Sequence, residues 1–314
     1  MRRLTGLLGA LGLLVCNSMC LAQQADPQAR IDAAGDYRYT IRHDGIERRY
    51  RVHVPRGLDL SRPAPLLVAL HGGGGSMDYQ ADDANYGLVS LSEREGVLLV
   101  FPNGYSRLRS GTFATWNAGS CCGPARDREI DDVGFIRQVV ANLQQQLKVD
   151  RERIFATGMS NGAMMAYRLA CDASDVFKAI APVAGTDNTR TCRPARPVSV
   201  LHIHARNDPM VPFAGGFSSN TRLRAATGEF TGVADTVAKW ARLDACTGPP
   251  ARVLQRPGAS CEAYPSCAGG AKLELCTTET GGHSWPGGQK ARAAEPPSQA
   301  ISANVLMWDF FNRP

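Results

Sequence analysis

The sequence predicts an α/β fold with a mostly parallel central sheet and helices on both faces, and three observations carry that expectation. Short apolar runs at 65–70, 96–101, 177–183 and 198–204 read as buried strands, and stretches of helical period at 133–148 and 233–244 alternate with them. The 314 residues are 44% hydrophobic, enough for one large core, and chains of this class and length commonly form a single domain. The third observation is local. At 153–166 the chain reads R-I-F-A-T-G-M-S-N-G-A-M-M-A, a β-type run, a glycine-flanked serine and then small helix-compatible residues. A strand that turns sharply into a helix needs positions without side chains on each side of the turn, and Gly158 and Gly162 supply them around Ser160.

In chain order, residues 1–22 stand apart from that core. Arg2 and Arg3 form a basic start, 7–15 an apolar centre and Cys20-Leu21-Ala22 a small-x-small cleavage site, so a signal peptide at 1–22 and a single domain at 23–314 are expected. Neither Cys16 nor Cys20 follows the small residue a lipoprotein signal uses, which favours a soluble exported form, secreted or periplasmic. No later apolar run is long enough to span a bilayer. Residues 37–42 and 48–55 alternate about Asp44-Gly45 as an opening hairpin. The strand at 65–70 runs into His71-Gly72-Gly73-Gly74-Gly75, whose backbone N–H groups can turn toward a ligand; no G-K-[ST] follows, so phosphate is not the ligand it suits. A helix at 81–95, the strand at 96–101 and a loop through Trp116-Asn117-Ala118-Gly119-Ser120-Cys121-Cys122-Gly123 come next. Asp131-Asp132 then opens a helix at 133–148, with Asp132 as its N-cap. Beyond the elbow, 248–270 is a proline- and cysteine-rich excursion, 272–278 the last strand, and 301–312 a closing helix that packs back on the sheet.

Ten cysteines less the two of the leader leave eight, an even number in an oxidising compartment, so disulfides are expected. Spacing leaves the connectivity open; Cys171 with Cys192 and Cys246 with Cys267 are favoured, and Cys121 and Cys122 are expected to reach different partners because vicinal bridges are strained. No C-x-x-C or paired His spacing suits zinc, and neither metal nor cofactor is expected. A net charge of +6 tolerates anionic polymers without specifying them, and with no basic cluster interleaved with aromatics, nucleic acid is not an expected partner. A monomer with no membrane association is expected.

A serine hydroxyl is a poor nucleophile until an imidazole takes its proton and a carboxylate fixes that imidazole's tautomer. Chains with such an elbow carry the partners in the order Ser, acid, His. Of the six histidines, His43, His53 and His71 precede Ser160, while His202 and His204 sit at period two on one strand, where packing is the expected duty. His283 remains, on the glycine-rich loop Gly281-Gly282-His283-Ser284-Trp285-Pro286-Gly287. Asp208, in a turn fixed by Pro209 after a strand, is the preferred acid, with Asp187 in Gly185-Thr186-Asp187-Asn188 as its rival. The oxyanion is assigned to the N–H groups of Asn161 and Gly73.

H-G-G-G-G, W-N-A-G-S-C-C-G, D-D-V-G-F, G-M-S-N-G, D-P-x-V-P and G-G-H-S-W-P-G together resemble the secreted polyhydroxybutyrate depolymerase and feruloyl esterase group of the α/β-hydrolases, over nearly the whole chain after the leader. The resemblance implies the α/β-hydrolase fold, a serine esterase acting through an acyl-enzyme on oligomeric or polymeric esters, and substrate-facing rings at Trp116 and Trp285. Feruloyl or acetylxylan esters of plant polysaccharide and poly(aspartic acid) are alternative substrates that it allows. A binding protein without catalysis is a further alternative, against which the complete set of Ser160, Asp208 and His283 speaks.

Overall fold

The computed structural model describes residues 30–289 and 295–313; the expected leader at 1–22 lies outside them. Strands β1 (Gly35–His43) and β2 (Ile46–Val54) pair antiparallel across Asp44 and Gly45, whose φ of 49° and 74° are those a two-residue type I′ turn requires. Strand β3 (Ala64–Leu70) is buried along its whole length. The helix expected at 81–95 is instead three pieces, α1 (Met77–Ala81), α2 (Asp83–Tyr86) and α3 (Leu88–Glu95). Asp82 breaks the first junction by accepting from the Ala84 N–H as an N-cap, and Gly87, at φ 63°, ends α2 in left-handed backbone.

After β4 (Leu98–Pro102) and α4 (Gly123–Asp127) comes α5 (Asp132–Gln146), capped not by Asp132 but by Asp131, which accepts from the Gly134 N–H. Asp132 lies inside the protein, 2.6 Å from the buried Arg48 guanidinium, and accepts from the Asn117 N–H at 2.8 Å. Strand β5 (Val149–Met159) turns into α6 (Asn161–Asp172), followed by β6 (Ala179–Val183) and β7 (Ser199–Ala205). A small pair, β8 (Gly216–Phe217) and β9 (Glu229–Phe230), brackets α7 (Thr221–Thr227) ahead of α8 (Val233–Leu243). The excursion at 248–270 forms the hairpin β10 (Ala251–Arg256) and β11 (Ala259–Ala263), which extends the main sheet; β12 (Leu273–Thr278) and α9 (Ala303–Asn312) complete the chain.

The ten-stranded sheet runs β1-β2-β4-β3-β5-β6-β7-β12-β11-β10. It is parallel from β4 to β12 and antiparallel on both flanks. Successive side chains of a strand point to opposite faces, so Leu66, Val68 and Leu70 join one core with α5, α6 and Trp240 of α8, while Leu67 and Ala69 join another with α3 and α9. This is the expected sheet covered on both faces. Cys171–Cys192 and Cys246–Cys267 are disulfides as favoured, and Cys261–Cys276 is a third. The expectation for the adjacent cysteines is corrected: with the other six paired among themselves, Cys121 and Cys122 bond to each other.

Candidate active site

Ser160 sits between β5 and α6 with φ 58° and ψ −122°, left-handed backbone that a side-chain-bearing residue adopts only under strain. Its own N–H donates to Val183 O at 2.9 Å, tying the turn to β6, and its hydroxyl takes no part in capping α6. The flanking glycines are steric requirements. A Cβ on Gly158 would stand 2.6 Å from the Gly162 carbonyl carbon, and one on Gly162 would overlap Leu70 O. The elbow read from the sequence is therefore formed as expected.

Three motifs meet around Asn161. Its side-chain oxygen accepts from the Trp116 N–H at 2.7 Å, its amide donates to Trp116 O at 3.1 Å, and a Cβ on Gly73 would lie 3.6 Å from its own Cβ. In the glycine loop, the Gly74 N–H donates to Ala114 O and the Gly75 N–H to Gly72 O, so of Gly73, Gly74 and Gly75 only Gly73 is not drawn into these bonds. His71 stiffens the loop from beneath. Its Nε2 accepts from the Gly104 N–H at 2.9 Å, which leaves the proton on Nδ1 to donate to Gly72 O at 2.8 Å.

Ser160 follows β5, Asp208 follows β7 and His283 follows β12, all parallel, so the three emerge at the same edge of the sheet. Asp208 and His283 are both buried and joined, with Nδ1 2.8 Å from Oδ2. The other carboxylate oxygen of Asp208 accepts the Met210 and Val211 N–H groups at 2.8 and 2.9 Å, and Gly282 donates to the side chain of Asn207, so the acid loop and the histidine loop are locked together. Burial alone would push the Asp208 carboxyl up, but the His283 charge and the hydrogen bonds from His204 and His283 outweigh it and hold the group well below the usual carboxylate range. A carboxylate at Nδ1 keeps the proton there and turns a basic Nε2 outward. The rival acid is spent elsewhere: Asp187 accepts from Trp240 Nε1 at 3.0 Å and pairs with Lys239 at 2.9 Å.

The two tryptophans differ from expectation. Trp116 is 0% exposed, its Nε1 donating to His71 O, and Trp285 is 2% exposed, its Nε1 donating to Asn304 and its ring edge-on to Tyr86. Both fill space under the site's loops, because each indole N–H has an internal acceptor and each ring an internal neighbour, and neither presents a face to substrate. The exposed ring of the Trp116 loop is Phe113, 74% exposed with φ 54°, next to Ala114, whose backbone is bonded to both Gly74 and Gly75. Its lone position in a polar loop gave no periodic signal, and only the strained backbone distinguishes it.

Residues 48–235 match the family described as esterase PHB depolymerase. Feruloyl esterase B of Piromyces equi is 32% identical over 242 residues, 75% of this chain and 42% of that protein. Feruloyl esterase C of Emericella nidulans is 32% identical over 174 residues, 54% of this chain and 58% of that one. The chain thus spans less than two thirds of the length of either relative. Among solved structures, the acetyl xylan esterase from Aspergillus awamori superposes with a TM-score of 0.60 over 87% of this chain and 98% of that one, at 14% identity, a likeness of fold.

Proposed function

This chain belongs to the esterase PHB depolymerase family, and from that premise we propose that it is an exported serine carboxylic-ester hydrolase, one catalytic domain behind a leader at 1–22. The observation that carries the reading is the buried Asp208–His283 pair, 2.8 Å apart at the sheet edge where the strained Ser160 elbow emerges. Ser160 Oγ attacks the ester carbonyl while His283 Nε2 takes its proton, and Asp208 stabilises the imidazolium. The tetrahedral oxyanion is held by the N–H groups of Asn161 and Gly73; losing one such donor typically costs about 3 kcal/mol of transition-state stabilisation. His283 then protonates the departing alcohol, and water repeats the cycle on the acyl-enzyme.

The proposed substrates are short or soluble esters, hydroxybutyrate oligomers first and feruloyl esters second. Phe113 beside the glycine loop offers an apolar face that suits either. Disulfides that join all the described cysteines fit an oxidising compartment, and among the described residues no helix is long and apolar enough to cross a membrane. Rates on p-nitrophenyl butyrate, methyl ferulate, hydroxybutyrate trimer and poly(aspartic acid), for wild type and Ser160→Ala, test the reading. Turnover of at least one ester, lost in Ser160→Ala together with covalent fluorophosphonate labelling, is expected. An alanine variant that keeps its rate, or cleavage of poly(aspartic acid) with no ester, would overturn it.

A further inference from the structure

Beneath the proposed triad lies a line of buried groups that the mechanism above leaves unused. Tyr167 Oη on α6 is 2.6 Å from His202 Nδ1, His202 Nε2 is 3.1 Å from His204 Nδ1, and His204 Nε2 is 2.8 Å from Val211 O and 3.4 Å from Asp208 Oδ2. The three side chains are buried, and the two imidazoles lie nearly parallel, 5.3 Å apart.

With both imidazoles uncharged, the acceptor at one end of this line orders the protons along it. Val211 O can only accept, so His204 Nε2 carries a hydrogen. In the neutral ring His204 Nδ1 is then an acceptor, which requires His202 Nε2 to donate; His202 Nδ1 is an acceptor in turn and takes the Tyr167 hydroxyl proton. All the donors point one way, toward the Asp208 carboxylate. We propose that His204 is a positioning residue for the triad, its Nε2–H shared between Val211 O and Asp208 Oδ2, with His202 and Tyr167 fixing its tautomer. The proposal rests on the reading of Asp208 and His283 as acid and base.

Charge does not move along this line. Burial, aided by neighbouring His204, pushes His202 well below the ordinary imidazole range, and burial, aided by nearby Asp187, pushes the Tyr167 hydroxyl well above its own, so both stay neutral. The groups facing the carboxylate are His204 on β7 and His283 after β12; farther out lie the Asp187–Lys239 pair near Tyr167 and, around the rim of the loops, Arg206 with Glu279, and Glu295 bonded to Asn207. With Oδ1 holding two backbone N–H groups, Oδ2 divides its acceptor capacity between His204 and His283. Removing the His204 donor leaves that oxygen to His283 alone, which strengthens its hold on the imidazolium and loosens the carboxylate's own orientation.

The test is the pH dependence of kcat/KM on p-nitrophenyl butyrate for His204→Phe, His204→Gln and Tyr167→Phe in the full chain, with Ser160→Ala as control. In His204→Phe, kcat should fall about tenfold with KM little changed, and the acid limb should move up by about half a pH unit. His204→Gln, which keeps an N–H donor, should return most of both. Tyr167→Phe, which lets His202 invert, should shift the limb in the same direction by less, and it decides the matter should His204→Phe fail to fold by near-ultraviolet circular dichroism. An unmoved or lowered limb in the folded His204→Phe variant, a loss that His204→Gln does not relieve, or a Tyr167→Phe profile identical to wild type would overturn the positioning role. Turnover surviving in Ser160→Ala would instead overturn the triad reading, independently of His204.

Discussion

Asp208 and Asp244 are both buried carboxyls, and their surroundings push them in opposite directions. Asp208 has two backbone N–H groups and two imidazoles, and stays ionised. Asp244, at the end of α8, receives one N–H, from Val198 at 3.1 Å, while its Oδ2 is buried without a hydrogen-bond partner. Burial therefore pushes its carboxyl up to about 6. A group protonated more readily in the folded than in the unfolded chain contributes stability that is fully present below its unfolded value, about 3.9, and that is lost as pH rises through about 6. Asp244→Asn removes the ionisation and keeps an acceptor for Val198. Thermal denaturation should find the variant more stable than wild type at pH 8, by on the order of 2 kcal/mol, with the advantage nearly gone at about pH 3.5; an equal gain at both values would refute the linkage. At this scale the sequence told the most about residues whose chemistry has few substitutes. Ser160 and His283 stood out because a strained turn and the order of the histidines left few alternatives, and Asp208 was chosen over Asp187 by chain order. Trp116 was misjudged because residue type alone does not say whether an indole faces a substrate or a carbonyl beneath it.

The elbow and the glycine loop use glycine for different reasons, and substitution separates them. Gly162 has no room, since a Cβ there would overlap the backbone at Leu70 where α6 crosses β3. Gly74 has room, with nothing within 4 Å of an added Cβ, but needs φ 75°. Gly162→Ala should force strand and helix apart and lower stability by about 3 kcal/mol; Gly74→Ala carries only the left-handed penalty, about 1 kcal/mol. Denaturant titration of the two variants checks the ranking, and equal losses would show that the crossing is looser than the geometry implies. Elements defined by their own residues were legible: the hairpin about Asp44-Gly45, the apolar β3, the strand–turn–helix at Ser160. Two features went unread, one set by caps inside the run itself and one by a partner far along the chain. The run at 81–95 has a continuous helical look, and only the caps made by Asp82 and Gly87 divide it. Of the adjacent acids, Asp131 caps α5 whereas Asp132 turns inward to Arg48, 84 positions away.

Across the whole molecule, the sheet's parallel centre is held by side chains on both faces, whereas its far flank is held differently. Strand β10 is exposed along nearly all its length, so the hairpin it forms with β11 has little apolar surface to bury. Cysteines take that role. Cys261 and Cys276 are directly opposite one another on β11 and β12, and Cys246–Cys267 ties the end of α8 to the return from the hairpin. The flank was legible from the sequence only as a proline- and cysteine-rich excursion, because β10 lacks the apolar alternation that marks a half-buried strand. Cys261 and Cys276 are fully buried, which makes alanine the cleaner replacement, since a serine hydroxyl there would need a partner. The bond closes a loop with a sequence separation of 15, for which unfolded-chain entropy predicts about 3 kcal/mol. In a chain of this size that corresponds to a fall in thermal midpoint of roughly 6 to 12 °C. Cys261→Ala/Cys276→Ala should show that fall and become sensitive to proteolysis first within 248–270, while fluorophosphonate still labels Ser160 at 25 °C, because the paired register of β12 with β7, rather than the bond, sets where His283 leaves the sheet. Labelling lost at a temperature where circular dichroism still reports a folded chain would mean that the staple itself holds the histidine loop in place.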